Sequence, residues 1–572
     1  MKRTDYCGNI DEKYVDKTVV VDGWVHKTRD IGNLLFIDLR DREGIVQVVV
    51  ENDYNDFEYA KTIRTEFVIE VEGKVRKREN PNPKIKTGGI EIIANKIKIL
   101  NKAEDLPFFP SEKKDISEET RLKYRYIDLR KDKIKNNIAL RHKATINIRN
   151  FLNDNGFYEI ETPVLIRSTP EGARDFLVPS RVHHGKFYAL PQSPQLFKQI
   201  LMISGFDRYF QLAKCFRDED LRSDRQPEFT QVDIEMSFVD ENDVLELSEN
   251  MLKNLFKEIG VTVETPFLKL SYDEAMEKYA TDKPDLRIKE VIEDWTELLG
   301  KTSSNILNSI YQNNGKIRGI KFQNGKNFSR KVIDNLNNEI RELGGKGAFW
   351  IKKIEGVIKS SIKLNDDELS SFEKSSSIQE NEIYLFVGGN NKEINPYLDY
   401  IRKKFGNIGE GFEFLWIVDF PLFERDSDGN ITSLHHPFTS PKPEDIEKLD
   451  IDPVQVYSNA YDIVLNGYEI GGGSIRIHDF ELQKKIFEVL GLSDNDINKK
   501  FGFFIKALKT GTPPHGGIAF GLDRILMLMA EETSIREVIP FPKTTSGMDL
   551  MSETPSEVDE KQLKELKINI IK

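Results

Sequence analysis

The sequence predicts a multidomain α+β protein: an N-terminal OB-fold β-barrel, then a mixed α/β body interrupted by an inserted α+β domain. Three observations predict it. The chain has 572 residues, beyond the roughly 250–300 that one hydrophobic core accommodates. Residues 18–100 alternate in the manner of strands, and amphipathic helices and glycine-punctuated strands follow. From about 285 to 405 the composition turns to Ser, Asn, Lys and Gly, without a run of candidate catalytic groups.

In the barrel, Thr18 to Val25, Asn33 to Arg40, Gly44 to Val50, Glu66 to Val75 and Ile90 to Leu100 are rich in Val, Ile and Phe. A helical stretch, Phe57 to Arg64, separates the third strand from the fourth. Five strands with a helix there are the plan of an OB-fold, which often binds oligonucleotides; another small barrel fits the pattern too. Asn101 to Leu129 is polar, contains Pro107 and Pro110, and reads as a linker. Ile134 to Asn155 has helical spacing, with Gly156 placed to end the helix. Residues 157–165 read as a strand interrupted around Pro163. The expected division is 1–105 barrel, 106–134 linker, 135–284 first part of the body, 285–405 insert, and 406–572 second part with a charged tail.

A hydrophobic fraction of 38% excludes wholesale disorder. Cys7 and Cys215, the only cysteines, exclude a disulfide framework and fit a reducing cytosol, so a cytoplasmic protein is expected. No apolar run approaches the ~18 residues of a membrane span, and MKRTDYCGNI has no apolar leader segment. The net charge of −12 argues against a partner held by global attraction to a polyanion. That acidity is uneven. Residues 1–105 hold 19 Lys+Arg against 20 Asp+Glu, and 285–405 hold 20 against 17. The barrel is therefore near neutral, with a basic run from Lys74 to Lys86.

Three constellations carry chemistry. Residues 215–236 read as two strands around a charged hairpin loop, Asp218 to Pro227, with Arg217 and Glu219 on one face of the first strand. A cation and an anion side by side suit a phosphate and an amine or adenine edge. A solvated surface hairpin is the plain alternative, and the apolar Phe210, Leu212 and Phe216 favour a central, covered strand. Residues 517–529 read as a strand, a glycine turn and a helix burying Leu522, Ile525, Leu526 and Met529. Arg524 falls in its first turn, where the helix dipole opposes a cation. Residues 459–478 place Asp462 and Glu469, oxygen ligands of the kind Mg²⁺ takes beside phosphates, near three glycines, Gly471 to Gly473, that let a ligand approach. A bulged buried strand would look the same. His435 and His436 are expected on opposite faces of an extended chain, one lining a site and one packing. In residues 191–198, polar groups sit where a strand meets a helix, and Ser193 also suits a helix cap.

Together these motifs resemble the class II aminoacyl-tRNA synthetases, in the helix and strand ending at Pro163, the F-R-D-E of 216–219 and the G-L-D-R of 521–524. EGARDFLVPSR, ALPQSPQLFKQ, RDEDLRSDRQPEFTQVD, HHPFTSP and NGYEIGGGSIRIH narrow the resemblance to bacterial-type aspartyl-tRNA synthetases, over essentially the whole chain. It implies a catalytic domain on an antiparallel sheet, a GAD-type insert, and a homodimer using L-aspartate, ATP with Mg²⁺, and tRNA(Asp). Implied roles follow. Arg217 bridges the α-phosphate and the aspartate carboxylate, with Asp218, Glu219 and Gln226 near the nucleotide. Phe229 and Arg524 enclose the adenine beside Gly521, Leu522 and Asp523. Asp462 and Glu469 hold Mg²⁺. Arg476 and Lys198, with His435 or His436, read the side-chain carboxylate. Glu171, Ser193, Gln195 and Asp233 hold the ammonium end. Arg29, Phe36 and Gln47 match anticodon-binding positions. Where relatives carry a run of arginines, Lys27-Thr28-Arg29 stands here, and the apolar Ile31 leans towards aspartate tRNA alone. The alternatives are a form that also charges tRNA(Asn), an asparagine or lysine ligase, a silent tRNA-binding descendant, and an ammonia-dependent amide synthetase.

Overall fold

A computed structural model describes residues 3–112, 114–168 and 172–571. The chain forms two compact units, Met1–Ala139 with Pro540–Thr544 and Met548–Ser556, and Leu140–Ile539 with Thr545–Gly547 and Glu557–Lys572.

In the first unit, β1 (Thr18–Asp30), β2 (Leu34–Arg40), β3 (Ile45–Glu51), β4 (Val68–Lys77) and β5 (Ile90–Asn101) close a barrel in the order β1-β2-β3-β5-β4. The helix α1 (Phe57–Lys61) joins β3 to β4 and buries Phe57 and Ala60. Strand alternation drives the closure: Leu35, Ile37 and Leu39 of β2 point inward while Leu34, Phe36 and Asp38 face out. Where the sequence reads as a linker, two short helices form, Glu118–Lys123 and Arg125–Asp128. Buried Asp128 holds them together, accepting from Arg121 at 3.0 Å and Arg125 at 2.6 Å.

The second unit is built on an eight-stranded sheet. Its strands are β6 (Tyr158–Glu159), β7 (Arg208–Phe216), β8 (Glu228–Ser237), β9 (Leu268–Ser271), β10 (Phe414–Val418), β11 (Ala460–Leu465), β12 (Tyr468–Ile475) and β13 (His515–Gly521). Their order is β9-β10-β11-β12-β13-β8-β7-β6, antiparallel except for the outermost pair at each edge. The expected strand over 157–165 shrinks to two paired residues, because Pro163 has no N–H to donate to a ladder. β7 therefore lies next to a two-residue edge rather than in the middle of the sheet.

One face of this sheet is apolar. Val232 and Ile234 of β8, Ile518 and Phe520 of β13 and Ile463 of β11 share a core with α2 (Asp132–Asp154) through Ala144, Ile148 and Leu152. The same core takes in α4 (Glu241–Phe256) and α5 (Leu522–Met529), whereas α3 (Gln195–Ile203) is amphipathic and sends Leu196 into a separate cluster. Gly156, at φ 79°, ends the turn after α2.

Residues between β9 and β10 form a five-stranded antiparallel sheet spanning Ile292–Asp294 to Ile383–Gly389, with a following helix Asn391–Phe405. β9 and β10 are neighbours, so the chain leaves and re-enters at one sheet edge. Wholly buried Arg402 fastens the junction, donating to Glu290 O at 2.7 Å and Asp285 O at 2.9 Å. Among the described residues no helix is long and apolar enough to cross a membrane.

Gly473 has a packing reason. A Cβ there would lie 2.1 Å from Gly517 O across the β12–β13 pair. Gly473→Ala is expected to lower stability by about 1–3 kcal/mol or more, as overpacking does, read as a lower denaturation midpoint. Gly502→Ala, in the helix Asp494–Leu508 with its nearest neighbour at 3.9 Å, should instead gain roughly 0.5–1 kcal/mol.

Candidate active site

The face of the sheet opposite the core carries a polar cleft, and strand register explains its shape. Asp462, Gly472, Ala519 and Asp233 lie in one row across β11, β12, β13 and β8. Two residues along, Ala460, Ser474, Gly517 and Glu235 form the next row. The first row lines the cleft, Gly472 and Ala519 as floor between the carboxylates of Asp462 and Asp233, whereas the second row does not. Of the three glycines in β12, Gly472 faces this floor: a Cβ there would come 2.4 Å from Asp462 Oδ1. Gly471 answers to packing, its Cβ meeting Phe520 at 2.8 Å.

Next to one half of the cleft, behind its lining residues Lys198, Asp233 and Arg476, lies the wholly buried Glu235. Its carboxylate accepts from Arg476 Nε at 2.9 Å and Nη2 at 3.2 Å, and lies 3.2 Å from Lys198 Nζ. Lys198 also donates to Asp233 Oδ1 at 2.8 Å. Burial alone would raise the Glu235 pKa, but Arg476 and Lys198 outweigh it and pull it down to about 2. At Asp233 burial outweighs Lys198, and the pKa rises. Gly517 leaves the space: a Cβ there would lie 2.1 Å from Glu235 Oε2. Sequence reasoning missed Glu235. The signal was its place on the same face of β8 as Asp233, two residues on.

His435 and His436 both line this half, against the expectation that one would pack away. The loop carrying them is not an extended strand, so alternation does not apply. His435 stands edge-on to Phe420, with centroids 4.7 Å apart. His436 Nδ1 accepts from the Phe438 N–H at 3.2 Å, while Nε2 meets the Arg476 Nη1 donor at 2.7 Å. Burial and Arg476 hold its pKa well below the usual value, so the ring is neutral and has one acceptor nitrogen for two donors.

The other half is lined by Gln226, Phe229, Gly521, Asp523 and Arg524 and shares Arg217, Glu219 and Glu469 with the first. β7 ends at Phe216, so Arg217 and Glu219 follow the strand rather than lie on it, yet both reach the shared wall. The Arg217 guanidinium lies 5.1 Å from the Phe229 ring centre. Arg524 donates to Glu469 O and, at 3.1 Å, to Asp224. Asp523 is buried and accepts from the Thr230 N–H at 2.8 Å and from Arg141 of α2. The Leu522 side chain packs in the core, and Asp218 turns to Arg174 at 3.8 Å, outside the lining. Ser193 and Gln195 line the first half, and Ser193 Oγ accepts the Gln195 N–H at 3.3 Å, but the helix N-cap is Pro194, without a side-chain cap. Glu171 lies outside the described residues.

Buried polar atoms without a protein partner among the described residues gather here: Gln195 Nε2, Asp233 Oδ2, His435 Nε2 and Arg524 Nε. Such atoms mark a place completed by a ligand. Asp462 and exposed Glu469 flank Gly472, and burial followed by Glu469 raises the Asp462 pKa well above its usual value. Two carboxylates that repel each other suit a divalent cation. Among the described residues no group of three or more His, Cys, Asp or Glu forms a metal cage.

On the barrel, Arg29 and Phe36 are cross-strand partners, with the guanidinium 5.6 Å from the ring centre. Arg29 donates to Gln47 Oε1 at 3.0 Å, and Gln47 Nε2 to Glu91 at 2.7 Å. Glu91 also accepts from Arg76 at 2.7 Å. Glu91 was not read from the sequence, and Arg76 only as part of the basic run from Lys74 to Lys86. Three of the six cations in the basic run, those on the strand, are in ion pairs: Lys74 with Asp16 at 2.9 Å, Arg76 with Glu91 and Glu51, Lys77 with Glu12 at 3.8 Å.

Residues 117–545 match the family of class II tRNA synthetases (D, K and N), and residues 19–100 match the OB-fold nucleic acid binding domain. The chain belongs to the class II tRNA synthetases of this D, K and N group. Among its relatives, the aspartate–tRNA(Asp/Asn) ligase of Caldanaerobacter subterraneus subsp. tengcongensis is 52% identical, with 100% of this chain and 98% of that protein aligned. The aspartate–tRNA ligase of Staphylococcus epidermidis is 48% identical over 100% and 99%. The fold is shared with asparaginyl-tRNA synthetase from Pyrococcus horikoshii, at 20% identity and a TM-score of 0.61 over 95% of this chain and 99% of that one.

Glu235→Gln leaves Arg476 and Lys198 facing a neutral amide. It should cost about 3–5 kcal/mol, as breaking a buried ion pair does, measured by chemical denaturation at pH 7. Because the native Glu235 pKa lies below the ordinary 4.5, its contribution is full above pH 4.5 and is lost as pH falls towards about 2. The stability gap between wild type and Glu235→Gln should therefore narrow through that window.

Proposed function

We propose that this chain is an aspartate–tRNA ligase, which activates L-aspartate with ATP to aspartyl-adenylate and pyrophosphate and transfers the aspartyl group to the 3′ end of tRNA(Asp). The observation that carries the proposal is the pairing of a two-cation carboxylate pocket, Lys198 and Arg476 around Glu235, with an aromatic–arginine pocket, Phe229 and Arg524, across one shared wall.

Aspartate enters with its side-chain carboxylate towards Arg476, Lys198 and the two histidines. Its ammonium group meets Asp233, Gln195 and Ser193, where Asp233 Oδ2, unpartnered among the described residues, favours a cation. Glu171 is assigned to that end on the sequence alone. Adenine lies against Phe229 and Arg524, with Gln226 and Glu219 at its edge. Arg217, free of any ion pair among the described residues, neutralises the α-phosphate and aligns the attacking α-carboxylate. Attack forms the acyl–phosphate bond as the bond to pyrophosphate breaks, and the terminal ribose hydroxyl then takes the acyl group with AMP leaving. Such chemistry asks for alignment and charge neutralisation rather than a protein nucleophile. Asp462 and Glu469 hold Mg²⁺, which offsets the phosphate charge when bound.

The barrel reads the anticodon: Phe36 stacks a splayed base, and the hydrogen-bonded set from Arg29 through Gln47 to Glu91 reads base edges. Residues 1–105 serve as the tRNA-reading domain, 135–284 and 406–572 as the catalytic domain, and 285–405 as the insert. The protein acts in the cytoplasm as a homodimer. Exposed Ile31, at the turn after Arg29, favours tRNA(Asp) alone.

Arg476→Ala is expected to lower aspartate-dependent pyrophosphate exchange by about 10²–10³-fold, as loss of a buried charged donor does; near-normal exchange would sink the assignment. Charging purified tRNA(Asp) and tRNA(Asn) side by side should give aspartyl-tRNA(Asp) only. Equal charging of both would transfer the chain to the broader Asp/Asn class.

A further inference from the structure

Asp224 belongs to no part of the proposed chemistry, yet it is built into the nucleotide half of the cleft. It sits at the tip of the hairpin loop between β7 and β8, beside the Arg222–Arg225 bridge that closes that tip. The tip is fixed from outside the hairpin. Ser223 O accepts from the Ile535 N–H at 3.0 Å and from Ser534 Oγ at 3.1 Å, and Arg222 O accepts from Arg536 at 3.4 Å. From this anchored position the Asp224 carboxylate accepts from Arg524 Nη2 at 3.1 Å. Both side chains are three-quarters or more buried, with 22% and 23% exposure.

Arg524 needs such a partner. It lies in the first turn of α5, where the helix dipole disfavours a cation, and no side chain caps that helix. Its own helix therefore does nothing to hold the guanidinium. What fixes the plane is a contact on each terminal nitrogen, Glu469 O on Nη1 and Asp224 on Nη2, while Nε has no partner among the described residues. A guanidinium held at both ends across a pocket from Phe229 is a preset slot for a flat base. We propose that Asp224 is a positioning residue for nucleotide binding, acting through Arg524 to set the guanidinium plane that receives the adenine.

The inference rests on the ligase reading. Asp224→Ala should raise the KM for ATP in aspartate-dependent pyrophosphate exchange by about tenfold, a typical coupling between residues in contact. The KM values for aspartate and for pyrophosphate, and kcat, should stay within about twofold, since Asp224 acts only at the base end. Asp224→Glu should recover most of the loss. Calorimetric ATP titration without aspartate closes a double-mutant cycle: in an Arg524→Ala background, Asp224→Ala should add nothing. Unchanged or tighter ATP binding in Asp224→Ala overturns the proposal, as does an additive loss in the cycle. A parallel rise in the KM for aspartate also overturns it, because that marks collapse of the loop. If the wild-type protein exchanged no pyrophosphate with aspartate, the ligase reading would fall, while the ATP titrations would still decide the role of Asp224.

Discussion

Everything in the catalytic unit is arranged around one buried carboxylate. Glu235 has no exposed surface and touches both cations of the pocket, so it joins α3, which carries Lys198, to the chain leaving β12, which carries Arg476. Four charges withdrawn from water would be costly alone. They are tolerable because they are matched two against two and because Ser474 and His436 meet the guanidinium's remaining face. The consequence is rigidity. On the proposed function, a substrate carboxylate takes over guanidinium donors that meet Ser474 and His436 here, and an amide in its place would leave a cation facing a donor. Rejection by an unpaired buried group is the steepest discrimination a pocket can offer.

The glycines follow from that constraint rather than from flexibility. Gly517 is small because Glu235 lies where its side chain would be, Gly473 because β13 passes close, and Gly472 because Asp462 leans over it. All three glycines of β12 also line the cleft, Gly471 in the nucleotide half and Gly472 and Gly473 in the other. The bulge between Ile463 and Val464 supplies the rest, shifting the β11–β12 register so that Glu469 emerges beside the floor instead of under it.

Much of this was legible in the sequence, and the limits have physical causes. The barrel strands were read to within a few residues, except that β1 runs on to Asp30, because alternation is a local signal that one covered face enforces. The hairpin of β7 and β8 and the strand-to-helix turn at Gly521 were legible for the same reason. Glu235 was not, since an acid in a strand of alternating character reads as solvent-facing until the partner strands are known. Nor was the orientation of His435 and His436, which depends on a loop folded by contacts with Arg476 and Phe420. The short helices over 118–128 escaped because a buried Asp128 with two arginines organises them, a tertiary feature in a polar segment.

Charge is the last place where position corrects composition. The run from Lys74 to Lys86 looks like a phosphate-binding stripe, but its strand residues are bound to Asp16, Glu51, Glu91 and Glu12. A cation already paired with carboxylates releases few counterions on meeting a phosphate, so it adds little to salt-dependent affinity. What the barrel does present is Phe36 on its outer face, with Arg29 and a buried Gln47 fixed by Glu91. Gln47 is held with its amide nitrogen towards Glu91 and its oxygen towards Arg29, so its orientation is set before any ligand arrives. On the proposed function, recognition by this unit is therefore carried by stacking and base edges, and the overall negative charge of the chain does not oppose it.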